Sequence, residues 1–177
     1  QLKLLISGSF TLHFYCHNNS QDIKIRLYFA AQKKLNMTNE LEVKVDLINN
    51  KVQFRGSSRT NPEIRCDYFP PIGDAEGYTG LELLLMSLSV CSSTAIVYML
   101  RKAEKEVRAF HVHARGIRNE ELPKAFHTIY IHFQLTSKNT DEESFEKIMK
   151  FTESSSCPVW AMLRNNVEIV PTFTITS

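Results

Sequence analysis

Residues 81–102 read LELLLMSLSVCSSTAIVYMLRK, the most unusual segment of the chain. From Leu83 to Leu100 it holds 18 residues without a charge, and it ends on Arg101-Lys102, cations that suit the C-terminal dipole of a helix. A run of this length could cross a membrane, but six of the 18 residues are Ser, Thr or Cys, and strand patterns lie on both sides. We therefore predict a fully buried central helix that begins near Thr79. Because one small sheet cannot enclose a helix that is apolar on nearly every face, the pattern also predicts a second subunit.

The segments around this helix show strand and helix periodicities in a definite order. Before it, alternating patterns predict short strands at residues 41–47, 52–54 and 63–68, the first two joined by a tight turn at Asn49-Asn50. After it come strand patterns at residues 107–117 and 126–135, a helical pattern at 141–154 with Thr140 as its capping residue, a short helix at 159–163 and a last strand at 167–175. Strands that occur in runs predict an α+β fold rather than an α/β fold.

The composition is that of an ordinary folded protein, with 177 residues, 43% hydrophobic residues, 23% charged residues and a formal net charge of +2. Without a basic block, the chain has no electrostatic footprint for nucleic acid. The four cysteines, at positions 16, 66, 91 and 157, are too few and too scattered for a disulfide scaffold, and none forms a CxxC pair. We expect no cofactor, no nucleic-acid partner and no membrane association.

The positive charge is concentrated at the start of the chain. Residues 1–36 hold five basic residues and one acidic residue, whereas residues 37–177 hold 16 basic and 18 acidic residues. The first methionine is Met37. We expect residues 1–36 to be a leader or a non-native extension, with a secretory signal and a transit peptide as the alternatives. Residues 37–177 are then expected to form one domain.

Cys91 lies at the middle of the predicted central helix. Ser87, Cys91, Thr94 and Tyr98 follow helical spacing, so they form one weakly polar stripe that could line a small pocket. The alternative is a core cysteine that packs as a small hydrophobe. Position 91 is several turns from the start of the helix, so any activation of its thiol requires a neighbouring cation.

Cys157 has a different local setting because Pro158 follows it. Proline is favoured at the first position of a helix, which makes Cys157 the predicted N-cap of the short helix. Free N–H groups and the helix dipole favour a thiolate there, so local physics predicts that Cys157 is the more acidic of the two thiols. Spacing alone cannot assign two cysteines 66 positions apart to one site.

Histidines provide a weaker signal. His111 and His113 lie two positions apart on one face of a predicted strand, and His132 on the next strand is a third ligand candidate. Half-buried strand histidines are more often packing residues, so we predict no metal site.

Three segments carry longer motifs in a fixed order. They are GYTGLELLLMSLSVCSSTAIVYMLRK at residues 77–102, VRAFHVHARGIRNEELPKAFHTIYIHFQL at residues 107–135 and ESSSCPVWAMLRNNVEI at residues 153–169. They resemble the central-helix motif, the strand pair and the second-cysteine motif of the OsmC and organic hydroperoxide resistance (Ohr) superfamily. The resemblance extends from about Val52 to the C-terminus, and residues 1–36 have no counterpart.

This resemblance implies an OsmC-like fold, an intertwined homodimer whose β-sheets wrap around long central helices. It also implies a cytoplasmic thiol peroxidase for organic hydroperoxides, which serves in oxidative stress defence. In that chemistry Cys91 is the peroxidatic thiol and Cys157 the resolving thiol, which forms a disulfide with the oxidised Cys91. A dithiol reductant of the lipoyl or thioredoxin type regenerates both. The pocket of the interface is expected to include Ser87, Thr94 and Tyr98.

The motif also departs from the family in one place. Peroxidase members carry a glutamate after the motif proline, where this chain has Leu81 after Gly80. Glu82, one position later, is a further candidate for a catalytic role. The resemblance implies an activating arginine from the partner chain, for which Arg55, Arg59 and Arg65 are the candidates. The alternative is a non-catalytic dimer that binds a small apolar molecule in the interface pocket.

Overall fold

A computed structural model of the protein describes residues 40–177. The strands are β1 Lys44–Leu47, β2 Phe54–Ser57, β3 Ile64–Cys66, β4 Ala109–Arg118, β5 Phe126–Thr136 and β6 Glu168–Thr176. The helices are α1 Gly80–Lys102, α2 Glu142–Phe151 and α3 Pro158–Leu163, with a π-helical turn at Thr152–Ser156 between α2 and α3. This order confirms the predicted α+β fold. The expectations for residues 1–36, and Cys16 with them, lie outside the described residues.

The strands form two three-stranded sheets. β1, β2 and β3 pair antiparallel in chain order. β4 and β5 also pair antiparallel, but β6 adds parallel to β5. A parallel neighbour requires a crossover connection, which α2, the π-helical turn and α3 provide here. The crossover and α1 together cover the inner face of this second sheet.

The core lies between α1, α2, α3 and the inner face of the β4–β5–β6 sheet. Its fully buried side chains include Leu88, Ile96 and Leu100 of α1, Ile129, Ile131, Phe133 and Leu135 of β5, Phe145 of α2 and Trp160 of α3. β5 is the central strand of its sheet, which explains why it contributes most of this set. Each such side chain contributes about 1.5–3 kcal/mol through removal of its apolar surface from water.

Only one face of α1 is buried within the chain. Leu88 and Ile96 are fully buried, whereas Val90 is 66% exposed, and only 28% of the most apolar 18-residue window is buried. One chain therefore leaves part of α1 exposed, and burial of the whole helix stays a prediction that depends on the second subunit. By length and hydropathy, α1 is also the one helix within residues 40–177 that could cross a membrane. That is a weak indication, because core helices of soluble proteins pass the same test.

The connection between β1 and β2 is longer than the predicted Asn-Asn turn. Leu47 pairs with Phe54, so residues 48–53 form the loop. Asn49 still organises it, because its Oδ1 accepts the N–H of Lys51 at 2.9 Å and that of Gln53 at 3.0 Å. An asparagine side chain thus substitutes for the backbone geometry of a two-residue turn.

The capping residue of α2 is Asp141 rather than the predicted Thr140. Asp141 Oδ1 accepts the N–H of Ser144 at 2.8 Å, and its Oδ2 accepts the Ser144 hydroxyl at 2.8 Å. These bonds from Ser144, and a further one from Lys105, hold the pKa of the Asp141 carboxyl well below its usual range. A carboxylate complements the positive end of a helix better than a neutral hydroxyl does. Thr140 instead shares a hydrogen bond with the hydroxyl of Ser137 at 2.8 Å.

A well-ordered loop joins β3 to α1. The buried Asp67 at its start accepts the N–H groups of Tyr68, Asp74 and Glu76 at 2.8, 3.1 and 3.1 Å. Burial alone would raise the pKa of the Asp67 carboxyl, but these three donors and the charge of Lys51 lower it below its ordinary value. The loop therefore has an internal carboxylate anchor that fixes the approach to α1.

Gly73 lies inside this loop, and we expect any side chain there to be disruptive. A Cβ at position 73 would lie 2.2 Å from the backbone O of Tyr68 and 2.3 Å from Oδ1 of Asp67. Gly73→Ala should lower the free energy of unfolding in urea by about 1–3 kcal/mol. Gly80→Ala is the matched control, because nothing lies within 4 Å of a Cβ there, and it should be neutral or stabilising by up to about 1 kcal/mol. Equal losses in the two variants would contradict this account of the loop.

Candidate active site

Near its midpoint, α1 carries Cys91 among small hydroxyl side chains. Ser92 beside it is fully buried, and its Oγ donates to the backbone O of Leu88 at 2.7 Å. The same bond to the preceding turn recurs at Ser89, Ser93 and Thr94. Because these hydroxyls are satisfied within the helix, they can face an apolar surface at little cost. The half-buried Cys91 thiol therefore lies on a part of α1 that can pack closely against an apolar surface.

Cys157 directly follows the π-helical turn and is buried in the core. Its backbone N–H donates to the O of Thr152 at 3.1 Å, five residues back. Its side chain caps α3, since Sγ accepts the N–H of Trp160 at 3.4 Å, and Pro158 is the first residue of that helix. The predicted N-cap role is confirmed. The side chain is also 2% exposed, which the local pattern did not indicate.

The two thiols meet where α3 and the π-helical turn pack against α1. Both are free, and Cys91 is close enough to Cys157 to influence the ionisation of its thiol. Burial first, and then the interaction with Cys91, raise the pKa of the Cys157 thiol to about 12, although the backbone N–H of Trp160 opposes the shift. The prediction of an acidic Cys157 is therefore wrong, because desolvation exceeds the effect of the helix end.

A raised pKa together with burial should protect Cys157 from alkylation. The thiolate is the reacting form, and the ordinary thiol value near 9.0 rises to about 12 in the fold. At pH 8 we expect iodoacetamide to modify Cys157 at least about 100-fold more slowly in the folded protein than in the urea-unfolded chain. Peptide mass spectrometry measures both rates, with the partly exposed Cys66 as an internal comparison. Similar protection of Cys66 and Cys157 would argue against a special environment for Cys157.

The three candidate arginines lie on or beside the first sheet. Arg55 and Arg65 are directly opposite each other on β2 and β3. Arg55 pairs with Glu63 at 3.4 Å and Arg65 pairs with Glu76 at 3.9 Å, and Arg55 also approaches a carboxylate on β1 at 3.8 Å. The exposed Arg59 follows β2 with a φ of 55°. Within the described chain, none of the three forms a hydrogen bond or ion pair with Cys91.

Glu82 has a structural partner at the start of α1. Its Oε2 accepts the backbone N–H of Thr79 at 2.7 Å and the Thr79 hydroxyl at 2.9 Å, and the N–H of Glu82 donates back to that hydroxyl at 3.3 Å. This reciprocal arrangement is a capping box, so the carboxylate is engaged at the helix end rather than near Cys91.

The three residues predicted to line a pocket differ in their surroundings. Ser87 and Thr94 are exposed on α1, and Lys102 lies 5.6 Å above the ring of Tyr98.

A cleft of about 450 Å³ lies near the N-terminus of α1. Its lining is mostly apolar and includes Tyr68, Phe69, Leu81, Leu85 and Phe126, with Glu82 and Arg118 at polar positions. The predicted pocket residues Ser87, Thr94 and Tyr98 are not part of this lining. Sequence reasoning missed Arg118, although the alternation of β4 places it at the end of that strand.

The three histidines of the sequence analysis lie on the second sheet. His113 is directly opposite His132 on the second sheet, as the spacing predicted. The ring of His132, however, bonds through Nδ1 to the Thr172 hydroxyl at 2.8 Å and through Nε2 to the Thr174 hydroxyl at 3.4 Å. Among residues 40–177, no group of three or more potential ligands could hold a metal ion.

Two small sheets, one long apolar helix and two thiols that meet on it define an OsmC-like α+β protein. The OsmC-like protein family matches residues 73–172, more than half of the chain, and the chain belongs to this family. It is 26% identical over 122 residues to Protein YhfA of Escherichia coli, and this match covers 69% of the present chain and 89% of Protein YhfA.

Solved structures agree at the level of the fold. An OsmC-like protein from Mycoplasma pneumoniae has a TM-score of 0.69 at 18% identity, over 80% of this chain and 100% of its own. An organic hydroperoxide resistance protein from Elizabethkingia anophelis has a TM-score of 0.59 at 14% identity, over 80% of this chain and 99% of its own. At these identities the likeness establishes the architecture.

Proposed function

We propose that the protein is a thiol-dependent peroxidase that reduces organic hydroperoxides through Cys91 and Cys157. The observation that carries this proposal is the proximity of two free thiols that are 66 positions apart in sequence and pack in the same core cluster. Membership of the OsmC-like family supports it, as does a structural neighbour that is named for organic hydroperoxide resistance. The relevant domain is proposed to span residues 37–177 and to act in the cytoplasm, in defence against oxidative stress.

The proposed reaction uses each thiol once. The Cys91 thiolate attacks one peroxide oxygen, the O–O bond breaks, and the alkoxide leaves and takes a proton to become an alcohol. Cys91 is then a sulfenic acid. Cys157 sulfur attacks the sulfenic sulfur, so that an S–S bond forms, the S–O bond breaks and the hydroxyl leaves as water with the Cys157 proton. An external dithiol, such as a lipoyl group or a thioredoxin, supplies the two electrons that reduce the disulfide.

The raised pKa of Cys157 suits this order of events. A thiol that stays protonated at neutral pH is a poor first nucleophile. After Cys91 is oxidised, Cys157 already lies beside the sulfur it attacks, which removes most of the entropy cost of that step. The division of roles that the family implies therefore has a physical basis in the burial of Cys157.

We further propose an intertwined homodimer. Val45 and Leu47 on β1 and Met86 and Val90 on α1 are all exposed in one chain, although each lies in an apolar pattern. Exposed apolar faces on a strand and on a helix both require a cover, and a second copy supplies both. Sedimentation at micromolar concentration should give the mass of two chains, and a one-chain mass would contradict the dimer.

In such a dimer the activating cation comes from the first sheet of the second copy. Arg55 and Arg65 already have carboxylate partners, whereas Arg59 makes no ion pair among the described residues. Of the three candidates, Arg59 is therefore the one whose charge is least compensated. Ser87, Thr94 and Tyr98 are proposed to line the peroxide pocket only once the second copy covers α1.

The test of the peroxidase is a stoichiometric reaction with cumene hydroperoxide. The reduced protein should lose two thiols per chain and release one equivalent of the alcohol, and addition of a dithiol should restore both thiols. Slow oxidation at the rate of an ordinary cysteine would sink the proposal.

A non-catalytic dimer that binds a small apolar molecule is the second candidate. Leu81 stands where peroxidase members carry a glutamate, and it lines an apolar cleft together with Phe126. This candidate predicts saturable binding of an apolar probe without loss of thiols, so the same cumene hydroperoxide experiment separates the two functions.

A further inference from the structure

The turn that carries Cys157 is held by an arginine on the far side of α3. Arg164, the last capping residue of α3, donates through both Nη1 and Nη2 to the backbone O of Ser154 at 3.3 Å. Ser154 lies within the π-helical turn Thr152–Ser156. The guanidinium thus connects the turn before Cys157 to the end of the helix after it.

The geometry of this turn decides where Cys157 points. In a π-helical turn the backbone bond spans five residues rather than four, as the bond from Cys157 N–H to the O of Thr152 does here. One extra residue per turn changes the direction of the next side chain by about 100° relative to an uninterrupted α-helix. π-helical turns are rare and short, so this one needs contacts that keep it from relaxing to an α-helical turn.

Two contacts hold it from opposite sides. On the inside, the hydroxyl of the fully buried Thr152 donates to the O of Ile148 at 2.9 Å. On the outside, the paired donors of Arg164 engage the carbonyl of Ser154, and both of these residues are exposed. A planar guanidinium that gives two bonds to one acceptor restricts the direction of that carbonyl more than a single ammonium bond would.

We propose that Arg164 is a positioning residue for the resolving step. By holding the Ser154 carbonyl, it keeps the π-helical turn in the form that holds Cys157 Sγ against Cys91. This inference rests on the proposed peroxidase function for its consequence in the reaction, but the placement of Cys157 can be measured without any peroxide. The side-chain bonds of Arg164 go to the Ser154 carbonyl, so it acts on the second step through geometry and leaves the first step unchanged.

The first experiment tests placement in the reduced protein. Arg164→Ala removes both bonds to the Ser154 carbonyl, so the π-helical turn can move. The rate of Cys157 alkylation by iodoacetamide should then rise at least about 10-fold, since small displacements change reactivity by such factors. Arg164→Lys keeps the charge but offers a single ammonium, so its rate of Cys157 alkylation should lie between those of Arg164→Ala and the wild type. Arg108→Ala is the matched control, because Arg108 is also exposed and pairs with Glu106 at 3.0 Å away from the thiols. An unchanged alkylation rate in Arg164→Ala overturns the inference.

The second experiment tests the reaction step. With cumene hydroperoxide, Arg164→Ala should consume the first thiol at the wild-type rate but form the disulfide at least about 10-fold more slowly. The Cys91 sulfenic acid should then accumulate and be trapped by dimedone. Disulfide formation at the wild-type rate overturns the inference. A wild-type protein that does not react removes the peroxidase proposal, while the alkylation rates still decide whether Arg164 positions Cys157.

Discussion

Replacement of Cys91 by serine is expected to lower the rate of cumene hydroperoxide reduction by at least about 100-fold, because a hydroxyl cannot supply the thiolate nucleophile. The substitution replaces one sulfur by oxygen on a helix already rich in serine, so the fold should be retained. The measurement is the initial rate of alcohol formation in the presence of excess dithiol. Circular dichroism on the same sample reports whether α1 is intact.

Two further cysteine variants make this result specific. Cys157→Ser should still consume one equivalent of peroxide and then stop at the Cys91 sulfenic acid, since the resolving sulfur is missing. Cys66→Ser should behave as the wild type, because Cys66 lies on β3, where its backbone pairs with that of Tyr78 in a single parallel β-bridge. A Cys91→Ser variant with wild-type turnover would assign the chemistry to another residue.

Truncation of Leu135 should produce a large loss of stability and leave the thiols in place. Leu135 is 1% exposed on the central strand β5, where it pairs with Phe110 on one side and Ile175 on the other. Leu135→Ala leaves a cavity in the core, so the free energy of unfolding should fall by about 2–5 kcal/mol. Urea denaturation followed by circular dichroism measures this loss.

The same substitution at an exposed site serves as the control. Leu122 is 87% exposed in the β4–β5 turn, and Leu122→Ala should change the free energy of unfolding by less than about 0.5 kcal/mol. Both variants must be compared at one protein concentration, because the stability of a dimer depends on concentration. A loss at Leu122 as large as that at Leu135 would contradict the assignment of the core.

The sequence predicted the elements whose signal is local. The charge-free run before Arg101-Lys102 predicted α1, and Pro158 predicted the N-cap role of Cys157. The alternation of residues 107–117 and 126–135 predicted β4 and β5 to within two residues. These features depend on periodicity and on the conformational limits of single residues, both of which are present in the chain before it folds.

Properties that depend on distant packing were beyond local reasoning. The chemistry of Cys157 was mispredicted because its burial and its proximity to Cys91 arise only in the folded chain. The parallel position of β6 beside β5 is likewise a consequence of the crossover. The π-helical turn at Thr152–Ser156 has no sequence pattern of its own, and the helical pattern of residues 141–154 simply appeared to run on through it.

The single tryptophan of the chain is Trp160, whose backbone N–H donates to Cys157 Sγ and whose side chain is buried in the core. All indole emission therefore originates from a core residue three positions after Cys157. The protein carries an intrinsic optical probe at the position where its oxidation state would change. Stopped-flow fluorescence could time each conversion of the pair without a label, an added chromophore or a coupled assay.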